Sequence, residues 1–126
     1  MYVADTHALI WYFTNDPKLG HTCKKILELA DAGLEEVAVP TIVVAEALYI
    51  SRKLGFSFND FFKKIKNAKG YSVIGFNTEI IEIMEGLPEE YSIHDAVIVA
   101  TAKLLKAPLL SKDSIIKKTR EIELIW

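Results

Sequence analysis

Apolar residues fall along this 126-residue chain in short blocks that follow two different rhythms. Tyr2-Val3-Ala4 is a continuous apolar run closed by Asp5, which predicts a short buried strand over 2–5. Ala8-Leu9-Ile10-Trp11-Tyr12-Phe13 predicts a helix, broken at Asn15-Asp16-Pro17. Pro17 suits a first helical position, and Lys24, Ile26, Leu27 and Leu29 carry a second helix to Gly33. Val37-Ala38-Val39 reads as a strand ended by Pro40. Thr41 is then the expected cap of a helix that runs to Lys53 and stops at Gly55.

Ser57 and Asp60 make a capping box for the next helix. Its apolar face is Phe58, Phe61, Phe62 and Ile65, and Lys63, Lys64 and Lys66 form the opposite one. Tyr71 to Ile74 reads as a strand, and Asn77 opens a short helix to Met84 that Gly86-Leu87-Pro88 ends. A helix over Ser92–Lys106, a strand over Leu109–Ser111, a helix over Asp113–Thr119 and a strand over Glu123–Trp126 complete the chain. No repeat, low-complexity tract or linker interrupts the pattern. Strands alternating with helices predict an α/β fold: one domain over 1–126, a parallel sheet with helices on both faces.

Composition narrows this little but usefully. Apolar residues make up 51% of the chain, enough for a real core at this length. No apolar run reaches the ~20 residues of a membrane-spanning helix. Met1-Tyr2-Val3-Ala4-Asp5 lacks the basic segment of a signal peptide, so the cytoplasm is the expected location. Cys23 is the single cysteine, which leaves no internal disulfide and no thiolate metal cluster. The net charge of −2 argues against a long basic nucleic-acid surface, though not against a small basic rim around an acidic centre.

Four carboxylates stand where solubility does not need them. Asp5 closes the first strand, Glu46 interrupts Ile42-Val43-Val44-Ala45-Glu46-Ala47-Leu48, Asp95 opens Ala96-Val97-Ile98-Val99-Ala100, and Asp113 follows Leu109-Leu110-Ser111-Lys112. Ligands of open parallel sheets bind beyond the carboxyl ends of the strands. The predicted topology brings all four acids to that edge, where they are expected to meet in one cleft. Each aspartate also has a plainer explanation. Asp5 and Asp113 can cap the helices that follow them, and Ser92-Ile93-His94-Asp95 matches a capping box. Glu46 has no such role, and its helical neighbours Ile42, Val43, Tyr49 and Ile50 are apolar. Crowded carboxylates raise one another's pKa unless a cation sits among them. Oxygen donors without thiolates suit magnesium or manganese, as one ion or two.

Other signals are secondary. His7 and His94 each adjoin an acid, but His94 and Asp95 point about 100° apart on a helix, so a shared His/Asp metal centre is not the expected arrangement. His94 is a candidate for positioning substrate, as are Lys112, Lys117 and Lys118 near the proposed cleft. Trp11 reads as core. Within Trp11-Tyr12-Phe13 some surface is left for a second subunit or another protein.

The motifs together carry a resemblance. Val3-Ala4-Asp5-Thr6-His7-Ala8-Leu9-Ile10-Trp11 resembles the start of a PIN-domain ribonuclease, in particular the VapC type of toxin. Val44-Ala45-Glu46, Ile93-His94-Asp95-Ala96-Val97-Ile98-Val99-Ala100-Thr101-Ala102 and Leu110-Ser111-Lys112-Asp113 resemble its later motifs in the same order. The resemblance implies an endoribonuclease dependent on magnesium or manganese. Asp5, Glu46, Asp95 and Asp113 would hold the metal and carry catalysis, supported by Thr6 and Ser111. It further implies a small cognate antitoxin like VapB, and a homodimer. An RNA-maturation nuclease without an antitoxin is a related alternative. A receiver-like signalling domain is another, but it needs an aspartate ending a middle strand, where this chain has Pro40.

Overall fold

Short apolar strands joined by helical crossovers can pair in parallel, because the crossover returns the chain to the edge where the strand began. The computed structural model, which describes residues 1–126, has this architecture. Strands β1 (Tyr2–Ala4), β2 (Val37–Pro40), β3 (Tyr71–Ile74), β4 (Leu109–Leu110) and β5 (Leu124–Ile125) form one sheet in the order β3-β2-β1-β4-β5. Every pairing is parallel; Val3 stands opposite Ala38 on one side and Leu109 on the other.

Helices α1 (Thr6–Phe13) and α2 (His21–Asp31) connect β1 to β2. Helices α3 (Thr41–Leu54) and α4 (Phe58–Asn67) connect β2 to β3, and α5 (Thr78–Glu85) and α6 (Ile93–Leu105) connect β3 to β4. The six-residue α7 (Ser114–Thr119) leads into β5. All four residues of β2 are buried, as are Val3 and Ala4 of β1. Successive strand residues point to opposite sides, so both faces of the sheet are covered. None of the helices is long and apolar enough to cross a membrane.

From β1 the chain moves outward through β2 to β3, then returns to the other side of β1 for β4 and β5. The reversal falls between β1 and β4. Beyond the carboxyl ends of these two strands the connections diverge and leave a crevice.

Local chemistry shifted several predicted boundaries. Pro17 does not start α2, which begins at His21 after Gly20. Residues 15–19 instead form a turn, with Asn15 at φ +55° and the Asp16 carboxylate accepting from the Lys18 amide at 2.9 Å. Thr41 is not a cap either. Strand β2 passes directly into α3, Pro40 occupies the cap position, and no side chain bonds the first-turn amides. The remaining caps form as expected, Ser57 to Asp60 N and Asn77 to Ile80 N among them.

Gly70 joins three of these elements. Its amide donates to Ala30 O at 3.1 Å and its carbonyl accepts from Val37 N at 2.8 Å, tying the end of α2 to the start of β2 and β3. A methyl group at Gly70 would lie 2.2 Å from the Ala30 carbonyl oxygen and 2.4 Å from that of Glu35. Backbone cannot yield as a side chain can. Gly70→Ala should therefore destabilise the protein by roughly 3 kcal/mol, the upper end of an overpacking penalty, measured by chemical denaturation.

Candidate active site

Strand β1 stops at Ala4, and the next residue is Asp5. Its amide donates to Leu110 O at 3.2 Å, fastening it to the end of β4. Its carboxylate caps α1, Oδ1 accepting from the Ala8 amide at 2.9 Å, and it also hydrogen-bonds the Ser111 side chain. Ser111 is buried just past β4, and its Oγ accepts from the Asp113 amide at 3.1 Å. Asp113 in turn caps α7, with Oδ1 accepting from the amides of Ile115 and Ile116 at 2.9 Å each. Ser111 thus links two acids across the reversal point of the sheet.

Asp95 arrives on the first turn of α6, where the Ser92 hydroxyl accepts from its amide at 3.1 Å. Glu46 projects from the second turn of α3. The buried Thr6 hydroxyl donates to Glu46 Oε1 at 2.9 Å, and His94 Nδ1 stands 3.1 Å from Oε2. Both oxygens of Glu46 are therefore engaged, and its carboxylate is held in one orientation. The apolar neighbours Ile42 and Ile50 pack partly against the core and, with Tyr49, line an open hollow of about 280 Å³ beside Glu46; Tyr49 is 65% exposed.

The acids feel one another. Burial raises the Asp5 pKa above its ordinary value; the Ser111 and Ala8 hydrogen bonds and the charge of His7 pull it down, and Asp113 pushes it up. Asp95 is raised by burial first, then by the charges of Asp113 and Glu46, against the opposing bonds to Ser92. Asp5, Asp113, Asp95 and Glu46 are thus linked in a row by their mutual repulsion. No lysine or arginine forms an ion pair with any of them, and the His94 imidazole is the one basic side chain within ion-pair distance of the row.

The structure corrects one expectation about this group. The four acids share an edge, but no three acidic, histidine or cysteine side chains stand close enough to enclose one ion. Asp5 and Asp113 are each fixed by the amides of the helix they cap, and Asp95 sits in the first turn of α6, where Ser92 is the cap. Capping and acidic site, weighed as alternatives from the sequence, coexist. In donor chemistry and in uncompensated charge the residues fit a hard divalent cation. Cys23 is excluded from a nucleophilic role, since burial pushes its thiol up to about 12.

Around the acids the basic residues sort themselves. Lys112 lines a hollow of about 220 Å³ together with Asp5, His7, Trp11, Asp113 and Trp126. Lys117 lines a different hollow, with Arg120 and Glu121, and Lys118 is exposed on α7. Two aromatic residues beside the acids were missed. Trp11 was expected in the core but is only half-buried, with the Trp126 ring 5.8 Å away at 76°. Its place after Asp5 at a spacing of six, on the helix Asp5 caps, was the available clue. Nothing near Trp126 in sequence pointed here; only the pairing of β5 with β4 brings it in.

Fold and site together define an all-parallel α/β domain with an acidic crevice at its reversal point. A model of the PIN domain matches residues 2–122, and the chain belongs to this family, whose members are generally nucleases. Solved structures agree on the fold. VapBC2 from Rickettsia felis, bound to a DNA fragment from its promoter, superposes with a TM-score of 0.69 at 19% identity, over 98% of this chain and 96% of that one. A toxin–antitoxin complex from Klebsiella pneumoniae gives 0.69 at 22%, over 100% and 97%. FitAcB from Neisseria gonorrhoeae gives 0.67 at 18%, over 100% and 97%. No curated protein matches the sequence.

The raised pKa of Asp5 has a consequence for stability. A carboxyl whose pKa is higher in the folded state stabilises the fold below its unfolded value, ordinarily 3.8, and that contribution is lost as pH rises through the folded value. Asn keeps the capping oxygen without the buried charge. In chelator, Asp5→Asn should therefore raise the Tm at neutral pH, by about 4 °C for each 1 kcal/mol relieved. The gain should shrink as pH falls toward 3.8. Thermal melts across pH check this; a gain that grows on acidification would contradict the assignment.

Proposed function

We propose that this protein is a metal-dependent endoribonuclease and the toxin of a VapBC-type toxin–antitoxin pair. The observation that carries the nuclease reading is the row of four carboxylates at the β1–β4 reversal, linked by repulsion and without a lysine or arginine partner. Family membership supports it and displaces the receiver-like alternative. The toxin reading draws support from the similar structures, which are VapBC2, a toxin–antitoxin complex and FitAcB.

Asp5, Asp95 and Asp113 are the proposed holders of magnesium or manganese, with Glu46 completing the set; because no three of them close around one point, one ion or two would be held through one or two carboxylates at a time and bound water. When bound, such an ion would acidify a water molecule and neutralise charge on a phosphodiester. The chain's own residues then supply orientation and a proton acceptor. Thr6 and His94 fix both oxygens of Glu46, so its carboxylate is the group poised to take the proton of an attacking water. Ser111 keeps Asp5 and Asp113 in fixed relation. Lys112 is the basic side chain in the same hollow as Asp5 and Asp113, suited to an RNA phosphate.

A protein partner is proposed for the surface beside Glu46. Tyr49 is 65% exposed there, and Ile93, next to His94, is 66% exposed. Apolar groups this open at the rim of a site suit an antitoxin segment or a second subunit.

RNA cleavage should require magnesium or manganese and stop in chelator. Asp95→Asn should lower kcat by about 10²-fold or more while circular dichroism shows a native fold. Undiminished cutting in chelator would overturn the metal mechanism. Separately, expression of the wild-type protein alone should arrest bacterial growth, and co-expression of the product of an adjoining short reading frame should restore it. Growth unaffected by an active enzyme would favour an RNA-maturation role.

A further inference from the structure

The hollow shared by Asp5 and Asp113 is half acidic and half aromatic. Its other walls are Trp11, Trp126, His7 and Lys112. The Trp11 and Trp126 rings meet edge to face, and the His7 ring lies 5.3 Å from Trp11 at 52°. Lys112 Nζ sits 4.9 Å from the centre of the Trp11 ring and 5.6 Å from that of Trp126, and Lys18 Nζ lies 5.1 Å from Trp11. Neither lysine forms an ion pair with the site acids, although Lys18 Nζ stands 3.8 Å from the Asp16 carboxylate. They hover over indole faces that the fold has left partly open.

Packing does not require this arrangement. Core indoles bury their faces against apolar side chains, whereas Trp11 and Trp126 lean on the core with only part of their surface, and the rest meets ammonium groups, Asp5 and Asp113. The sequence makes room for Trp126. A side chain at Gly20 would come within 2.4 Å of the Trp126 carbonyl carbon and 2.5 Å of its ring, so glycine is what lets the indole approach there. The ring thus lies beside an acidic site with its burial incomplete.

We propose that Trp11 and Trp126 form a stacking subsite for one unpaired nucleobase, adjacent to the phosphate cut at the acids, with Lys112 on the neighbouring phosphate. The subsite rests on the nuclease reading above. An aromatic face with a cation beside it is the common recognition element for single-stranded nucleic acid, because every base has a π-face and every nucleotide a phosphate. Stacking a base on an indole outweighs an exposed cation–π contact. An incoming base therefore displaces the Lys112 ammonium from the ring and frees it for the phosphate. The row of acids repels the RNA backbone, and the lysines at Trp11 offer the compensating attraction within one nucleotide of it.

The chain has only two tryptophans, Trp11 and Trp126, so indole emission excited to the red of tyrosine absorption reports this subsite alone. Short single-stranded RNA with a fluorescent end label is titrated into the Asp5→Asn protein, following label anisotropy and indole emission together. Anisotropy should rise and indole emission fall at the same concentrations. An oligonucleotide with one abasic position beside the cut should bind roughly ten-fold more weakly, and duplex RNA should leave the indoles unquenched. In the active protein Trp11→Leu should raise KM by a similar factor, and Trp11→Phe, which keeps a ring face, should recover most of it. Should Trp11→Leu fail to fold, the abasic comparison decides alone. Equal affinity for intact and abasic RNA, or bound RNA with unchanged indole emission, overturns the subsite while leaving the nuclease reading intact. Failure to bind or cut any RNA takes down both. Unimpaired cutting by Trp11→Leu with lost binding of the cognate antitoxin would assign the platform to a protein partner and overturn the proposal.

Discussion

Repulsion among half-buried carboxylates is the constraint around which this fold is arranged. Asp5, Asp113, Asp95 and Glu46 occupy one edge of a parallel sheet, and burial already disfavours charge on Asp5 and Asp95 before their neighbours add to it. The structure answers with dipoles and hydroxyls, not with cations. Three of the acids stand at helix N-termini, and Ser111, Thr6 and Ser92 place a hydroxyl beside the acids or their amides. Such partners lower the electrostatic cost without neutralising the charge. A lysine in the same place would stabilise the fold more and silence the site. The acids thus keep an unmet demand for positive charge, and that demand is the chemical property a divalent ion answers.

The topology makes this strain affordable in only one place. Strand β1 is central, paired on both sides, and both its buried residues are wholly enclosed. A charge immediately after such a strand would be ruinous in mid-sheet, but the crevice between β1 and β4 lets solvent and ligands reach it. The link from Asp5 N to Leu110 O and the Ser111–Asp5 bond close the edge of the sheet into a fixed frame. Thr6, one residue on, reaches Glu46 forty positions away. Adjacent residues of one motif therefore organise opposite halves of the row, which explains why an acid and a hydroxyl occur side by side there.

Much of this was legible in the sequence, for identifiable reasons. The strand and helix order could be read because apolar runs and caps are local signals, and Ser57, Asn77 and Ser92 cap where expected. Pro17 misled because a proline at a helix start and a proline in an Asx-type turn look alike until Asp16 is seen bonding the Lys18 amide. Thr41 misled because a strand can run into a helix with no capping residue between them. The common edge of the four acids followed from topology. Their separation did not, since two of these side chains also serve as caps, and no one-dimensional pattern says which demand sets the geometry.

Trp11 shows where such reading ends. An apolar residue on an amphipathic helix is assigned to the core by default, and for Leu9 and Ile10 that is right, each 1% exposed. Trp11 follows them directly and turns instead toward β5, which enters the sheet over a hundred residues later. Its environment depends on a pairing, on a glycine at position 20, and on a lysine after β4, none of them near it in the chain. Three distant conditions meeting on one ring are a tertiary fact. They also explain why an acidic crevice need not be hostile to a polyanion. The same reversal of the sheet that gathers the carboxylates brings an aromatic and basic wall against them, so repulsion and attachment arise from one feature of the topology.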